Sequence, residues 1–343
     1  MAHLDDPIMA LEDQQNDLTF GIEIEFLMPV LEGSDEDASV QMPKLPSYPG
    51  WRFPAYQWDG MELTSEVLSS TDPDRVRKIT EVCRTIRSHR VHLNGNTSVH
   101  THVGRGDDGF TIKTVKKLIT FLWFADNKLF EFHHPSRMNN PFCRKISEFS
   151  SLTDVNHENM IDTADLEGLR QMAQHVPETM ETMEEGVYRN KYIQLKHMWG
   201  QVEVTEIAQS MLIKEIGTTV VQPRGSVGFR RFMPQGKTGG NTNTFEFRHM
   251  AGSLDPEHIL HWAQVCIGIV EFARNTNASK FREQIAKFLH PPQGIRYGGV
   301  EILEDLGLVK EANFFRTKTD AYKKGDLKYF TGGDKDTFFV PPM

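Results

Sequence analysis

Gly21-Ile22-Glu23-Ile24-Glu25-Phe26 alternates apolar and acidic residues, and its reading decides the fold. In a strand, residues i and i+2 point the same way, roughly 7 Å apart. Ile22, Ile24 and Phe26 therefore share one face, and Glu23 and Glu25 share the other. Two distant segments repeat the arrangement: Thr97-Ser98-Val99-His100-Thr101-His102-Val103-Gly104 pairs His100 with His102, and Asn243-Thr244-Phe245-Glu246-Phe247-Arg248 pairs Glu246 with Arg248. Phe245 and Phe247 take the apolar face of the last. Burying even one unpaired carboxylate costs several kcal/mol. The simplest physical reading is a sheet with an apolar underside and a metal-lined basin above it.

The bulk properties are those of a folded soluble enzyme. A chain of 343 residues, 38% hydrophobic and 25% charged, buries a large core. A net charge of -9 argues against nucleic acid as the main partner, since phosphate backbones call for a basic surface. Cys83, Cys143 and Cys266 are scattered and odd in number, giving neither a disulfide framework nor a zinc knuckle. Met1–Asp17 is acidic and lacks an apolar run of secretory type, and no stretch reaches membrane-span length. The expectation is a cytosolic protein with no membrane partner and an oligomeric state that the sequence leaves open.

Outward from the first strand (18–28, closed by Pro29), the pattern is strand then helix, three times over. Residues 1–17 read as a polar lead-in and 31–57 as a long loop, with 58–69 extended again. Asp72-Pro73 predicts a helix start reaching Arg90, Thr111 to Phe132 a second helix, and Asp255-Pro256 a third reaching Arg274. The catalytic body is placed at 18–290. Residues 291–343, with Phe314-Phe315 and Phe338-Phe339, read as a docking tail or a lid. The aromatic cluster at Phe121, Trp123, Phe124, Phe130 and Phe132 reads as helix core.

A hard cation such as Mg²⁺ takes oxygen ligands, and an imidazole among them extends tolerance to Mn²⁺. Glu23, Glu25 and Glu246, with Glu62 or Glu66, supply the oxygens; His100 or His102 supplies the nitrogen. Cations held among carboxylates with arginine nearby are a means of gripping a polyphosphate. There is no glycine-rich phosphate loop, so a nucleotide would be held through metal and arginine.

These segments resemble the amidoligase family, within the glutamine synthetase and glutamate-cysteine ligase superfamily. Phe20–Phe26 resembles its opening strand, Met61-Glu-Leu-Thr-Ser65 its Glu-Leu-Ser segment, and Ser98–Gly104 its His-x-His strand. Thr244–Asp255 is similar to its Glu-Phe-Arg strand and following turn. His134–Cys143 is similar to an Arg-x-x-Asn-x-aromatic-Cys segment of fungal members. The motifs keep the family's order over roughly residues 18–275. The resemblance implies an α+β, glutamine-synthetase-like fold, a curved antiparallel sheet forming a funnel with helices outside. It implies an ATP-dependent ligase that joins a small carboxylate to an amine through an acyl phosphate. Glu23, Glu25, Glu62, His100 and Glu246 match its metal ligands, Arg248 its phosphoryl-steadying arginine, and Arg137 and Asn140 contacts to substrate or phosphate.

Two departures stand out. Glu66 occupies the place where the family has proline. Phe229-Arg230-Arg231-Phe232 replaces an expected strand before the last motif, which offers Arg230 as a further phosphate or substrate contact. From the residues alone, other readings remain open. Glu23 and Glu25 also fit a solvent-facing sheet side, His102 a hydrogen-bonded core histidine beside a ligating His100, and Arg137 and Asn140 cap or turn positions. A transition-metal oxygenase or hydrolase and a non-catalytic binder are the rival functions.

Overall fold

Strict alternation in Thr19–Val30 makes β1, the strand on which the sheet is built. The computed structural model describes residues 17–30, 57–89, 91–106, 108–156, 165–183, 186–214, 221–222, 224–233, 243–291, 293–294, 296–324 and 339–340. Most of the expected lead-in, the loop at 31–56 and Phe338 lie outside them. On one side β1 pairs antiparallel with β2 (Gln57–Thr64) and briefly with β3 (Leu68–Ser69); on the other it pairs with β5 (Ser98–Gly104). β5 in turn pairs with β9 (Phe245–Ala251), and β9 with β8 (Val227–Gly228), giving the order β2-β1-β5-β9-β8, all antiparallel. The short β4 (Leu93–Asn94) pairs with β10 (Phe339–Val340), and β6 (Ile213–Lys214) with β7 (Val221–Gln222).

Strand β1 runs two residues past the expected stop and includes Pro29. The neighbouring Leu27 turns its N–H and C=O to His92, away from β2. Pro29, two residues on, turns its missing N–H the same way, so the pairing with β2 is intact.

Helices cover the apolar face. In chain order they are α1 (Arg75–Arg87), α2 (Ile112–Leu129), α3 (Ile146–Phe149), α4 (Leu166–His175), α5 (Val187–Trp199), α6 (Val204–Ser210), α7 (Pro256–Asn275), α8 (Ala278–Leu289), α9 (Gly299–Asp305) and α10 (Val309–Lys323). The result is an α+β protein with an open antiparallel sheet. Helix α2 starts where Thr111 accepts from the Thr114 N–H, and α7 where Asp255 accepts from the Glu257 N–H ahead of Pro256. Helix α1 begins at Arg75, three residues after Asp72, because Asp72 caps the entering turn by accepting from the Asp74 N–H.

The core is apolar and aromatic: Ile22, Ile24, Val99, Val103, Phe245 and Phe247 pack with Trp262, Val265, Ile269 and the buried side of α2. All three cysteines are free and buried. Burial pushes the thiols of Cys83 up to about 12 and Cys143 up to about 11. Residues 299–323 are two helices of this packed body: Phe315 is buried against Phe132, His133 and Trp262. Among the described residues, no helix is long and apolar enough to cross a membrane.

Candidate active site

Parity puts each charged pair on the polar face, and register makes the pairs neighbours. Glu23 lies opposite His100, Glu25 opposite Glu62, and His102 opposite Glu246. Four adjacent strands thus gather Glu62, Glu23, Glu25, His100, His102, Glu246 and Arg248 on one surface.

The side chains meet there. His102 Nε2 is 2.9 Å from Glu23 Oε1, and His100 Nδ1 is 3.0 Å from Glu23 Oε2 and 3.4 Å from Glu246 Oε1. His100 Nε2 is 2.7 Å from Ser98 Oγ, which also donates to Glu25. Arg248 Nη1 donates to Glu246 Oε1, and its Nε donates to the Phe142 carbonyl at 3.2 Å. Glu23, His102 and Glu246 each offer one ligand atom, all within 4.8 Å of one another, and each is partly accessible. Two carboxylates and an imidazole so placed have the donor chemistry of a divalent-cation site.

His100 has a different place. Its side chain is 2% exposed and both ring nitrogens face protein groups, so it braces Glu23 and Glu25 from below. His102 is the more accessible of the two, its side chain 12% exposed. The sequence pattern left the two equivalent because both project on the same face of β5; depth separates them.

Burial works against the charge on Glu23, but hydrogen bonds and charge from His100 and His102 outweigh it and hold this carboxyl far below the usual range. Glu62 shows the reverse: partial burial, then the neighbouring charges of Glu23 and Glu25, push its carboxyl up. A cross-strand Glu25–Glu62 pair is repulsive unless a cation is shared.

Other expected residues fall elsewhere. Glu66 does not join the basin. Strand β2 ends at Thr64, the Ser65 hydroxyl accepts from the Ile22 N–H, and the chain turns away, so Glu66 pairs with Lys78 of α1 at 2.8 Å. Parity read across Ser65 fails because the strand has stopped. Arg137 and Asn140 are buried inside the protein. Arg137 Nη2 donates to the Arg248 carbonyl at 2.7 Å, and Asn140 Nδ2 to the Gly95 carbonyl at 2.7 Å. Arg230 is exposed on a single 3₁₀ turn, Arg230–Phe232, where a strand was expected; Phe232 anchors that turn against Phe245.

Two contributors were missed. Ser98 shares the parity of His100, a signal present in the sequence. Gly228 lies opposite Glu246, where a Cβ would come 2.8 Å from Glu246 Oε2; the glycine makes room for this carboxylate.

Fold and site together define an α+β protein whose antiparallel sheet carries an acid–histidine–arginine face. The chain belongs to the amidoligase family: the family's sequence model, described as "Putative amidoligase enzyme", matches residues 32–270. That membership makes it a ligase-type enzyme. The matched span holds β2, β5 and β9 but begins after β1, so Glu23 and Glu25 join the site through strand pairing. No curated protein and no solved structure matches the chain.

Proposed function

We propose that this protein is an ATP-dependent ligase that joins a small carboxylic acid to an amine. The observation that carries the reading is the convergence of Glu23, His102 and Glu246, with the Arg248 guanidinium on Glu246, in a chain of the amidoligase family. The donor set fits a divalent ion, Mg²⁺ or, through the imidazole, Mn²⁺. Such an ion supplies charge neutralisation at phosphate oxygens.

The remaining roles belong to the chain. Glu23, His102 and Glu246 hold the ion, with Glu25 and Glu62 on the same face as further acidic ligands. His100, locked between Ser98 and Glu23, fixes the carboxylates. Arg248 holds negative charge on the transferring phosphoryl group, a task suited to a guanidinium. In the reaction an oxygen of the acid attacks the γ-phosphorus of ATP, the bond to ADP breaks, and an acyl phosphate forms. The amine nitrogen then attacks the acyl carbon, and phosphate leaves with the carbon–oxygen electron pair. A glutamine-synthetase-like funnel above the sheet, admitting ATP and acid from opposite ends, belongs to the same reading. Nucleic acid and membrane have no part in it.

The test is thermal stability with and without Mg²⁺-ATP, in wild type and Glu246→Ala, followed by product analysis. A ligand at ~100-fold its dissociation constant adds about 2.7 kcal/mol to the folded state. A metal-dependent rise in wild type, lost in the variant, with ADP and phosphate released in a screen of acid–amine pairs, is the expected result. AMP and pyrophosphate would overturn the acyl-phosphate route. A tightly held transition metal with no ATP response would overturn the ligase reading.

A further inference from the structure

Strand β9 carries Arg248 at a break in its pairing on both sides. Towards β5, Val99 lies opposite Met250 and Thr101 opposite Phe247, so His100 alone faces two residues, Arg248 and His249. This is a β-bulge, a device that re-aims side chains next to functional sites. Towards β8, the Arg248 N–H donates to the Ser226 carbonyl at 2.8 Å, but the return bond of an antiparallel pair is not made. The Ser226 N–H goes instead to the Arg144 carbonyl at 2.7 Å. The Arg248 carbonyl is thereby given over to side chains.

Both come from one loop. Arg137 Nη2 reaches that carbonyl at 2.7 Å and the Cys143 thiol at 3.0 Å. The same loop holds the other end of the residue, since its Phe142 carbonyl accepts from Arg248 Nε at 3.2 Å. Asn140 stiffens the loop: its side chain donates to Gly95 and accepts from the Phe142 N–H, and its own carbonyl accepts from the Cys143 N–H at 3.1 Å. Arg137 is wholly buried, and its Nε and Nη1 have no hydrogen-bond partner among the described residues. Keeping a guanidinium there is costly. A neutral donor would suffice to tie down a loop, whereas a charge-assisted hydrogen bond pins a carbonyl more firmly.

We infer that Arg137 and Cys143 are positioning residues, which fix the bulged Arg248 by its carbonyl so that the Phe142 carbonyl and Glu246 together aim its guanidinium into the basin. The catalytic meaning of that aim rests on the proposed ligase function; the geometry does not. Burial keeps Cys143 as a neutral thiol, the form that can donate.

The experiment is NMR of protein labelled with ¹⁵N-arginine, without nucleotide or metal, with the Arg248 Nε–H signal assigned by Arg248→Lys. In Cys143→Ala, solvent exchange of this proton should quicken by about tenfold, the equivalent of one net hydrogen bond. Cys143→Ser, which restores a donor, should return it towards wild type. A purely structural cysteine would lower stability in both variants without this selective rescue. An unchanged Nε–H signal in Cys143→Ala, or a serine variant that behaves like alanine, overturns the inference. Should Cys143→Ala fail to fold, Arg137→Lys provides the same comparison: the signal must shift or exchange faster there, and an unchanged signal refutes it. Because no ligand is present, the outcome is independent of whether ADP is ever released.

Discussion

His175, at the C-terminal end of α4, sets a clear acid limit on this fold. Its ring is 1% exposed, stacks on Trp199 with centroids 5.4 Å apart, and holds the Gln171 carbonyl through Nδ1 at 2.7 Å. Burial pushes its pKa down to about 4 from an ordinary value of 6.5. As pH falls below 6.5 the unfolded chain takes up this proton and the folded chain does not, so stability declines. The slope approaches about 1.4 kcal/mol per pH unit, and the loss levels off below about pH 4 at roughly 3 kcal/mol. His133 and His258, fully buried and held well below the usual histidine range by burial, add slopes of the same sign. Against a typical stability of about 5–15 kcal/mol, the His175 loss alone is a large fraction of the total. The assay is urea denaturation at pH 7.5, 6.5, 5.5 and 4.5 on wild type and His175→Phe. The phenyl ring keeps the stacking and cannot titrate, while the lost hydrogen bond costs about 1 kcal/mol at every pH. The wild-type curve should start about 1 kcal/mol above the variant's at pH 7.5, meet it near about pH 6 and lie below it at pH 4.5. Curves that stay parallel from pH 7.5 to 4.5 would refute the assignment of a neutral buried His175.

Three further outcomes follow from the packing. Gly228→Ala should weaken Mn²⁺ binding by about 10–100-fold, since the new Cβ would sit 2.8 Å from Glu246 Oε2; titration calorimetry reads this. Thermal stability should change little, because the clash is with the end of a flexible side chain. Glu66→Gln should leave Mn²⁺ binding as in wild type while Glu246→Gln abolishes it, because Glu66 serves Lys78 and not the basin; equal losses would reverse the placement. Asp126→Ala should cost about 3–5 kcal/mol in denaturant unfolding, because it strips a fully buried pair with His249 at 2.8 Å and the cap on the Ile146 N–H.

Which residues share a face is legible in the order of residues alone. Alternation in Ile22–Phe26, Val99–Val103 and Phe245–Phe247 is a period-2 signal that needs no tertiary knowledge, and it separates core from basin. Apolar periodicity likewise announced α2, and the cap-plus-proline pair Asp255-Pro256 announced α7, because a cap is a local hydrogen bond. What parity cannot supply is the order of strands, their register, or the depth of a side chain below the surface. Those come from long-range pairing, which set Glu23 against His100 and His102 against Glu246. Only the tertiary structure sank His100 beneath the carboxylates and left His102 the more accessible of the two. The end of β2 at Thr64, fixed by Ser65 bonding back to Ile22, turned Glu66 out of a row that parity alone would have kept it in. The bulge at Arg248 and the loop that answers it with the buried side chains of Arg137 and Cys143 come from imperfect pairing between strands, and a missing ladder bond leaves no trace in the order of residues.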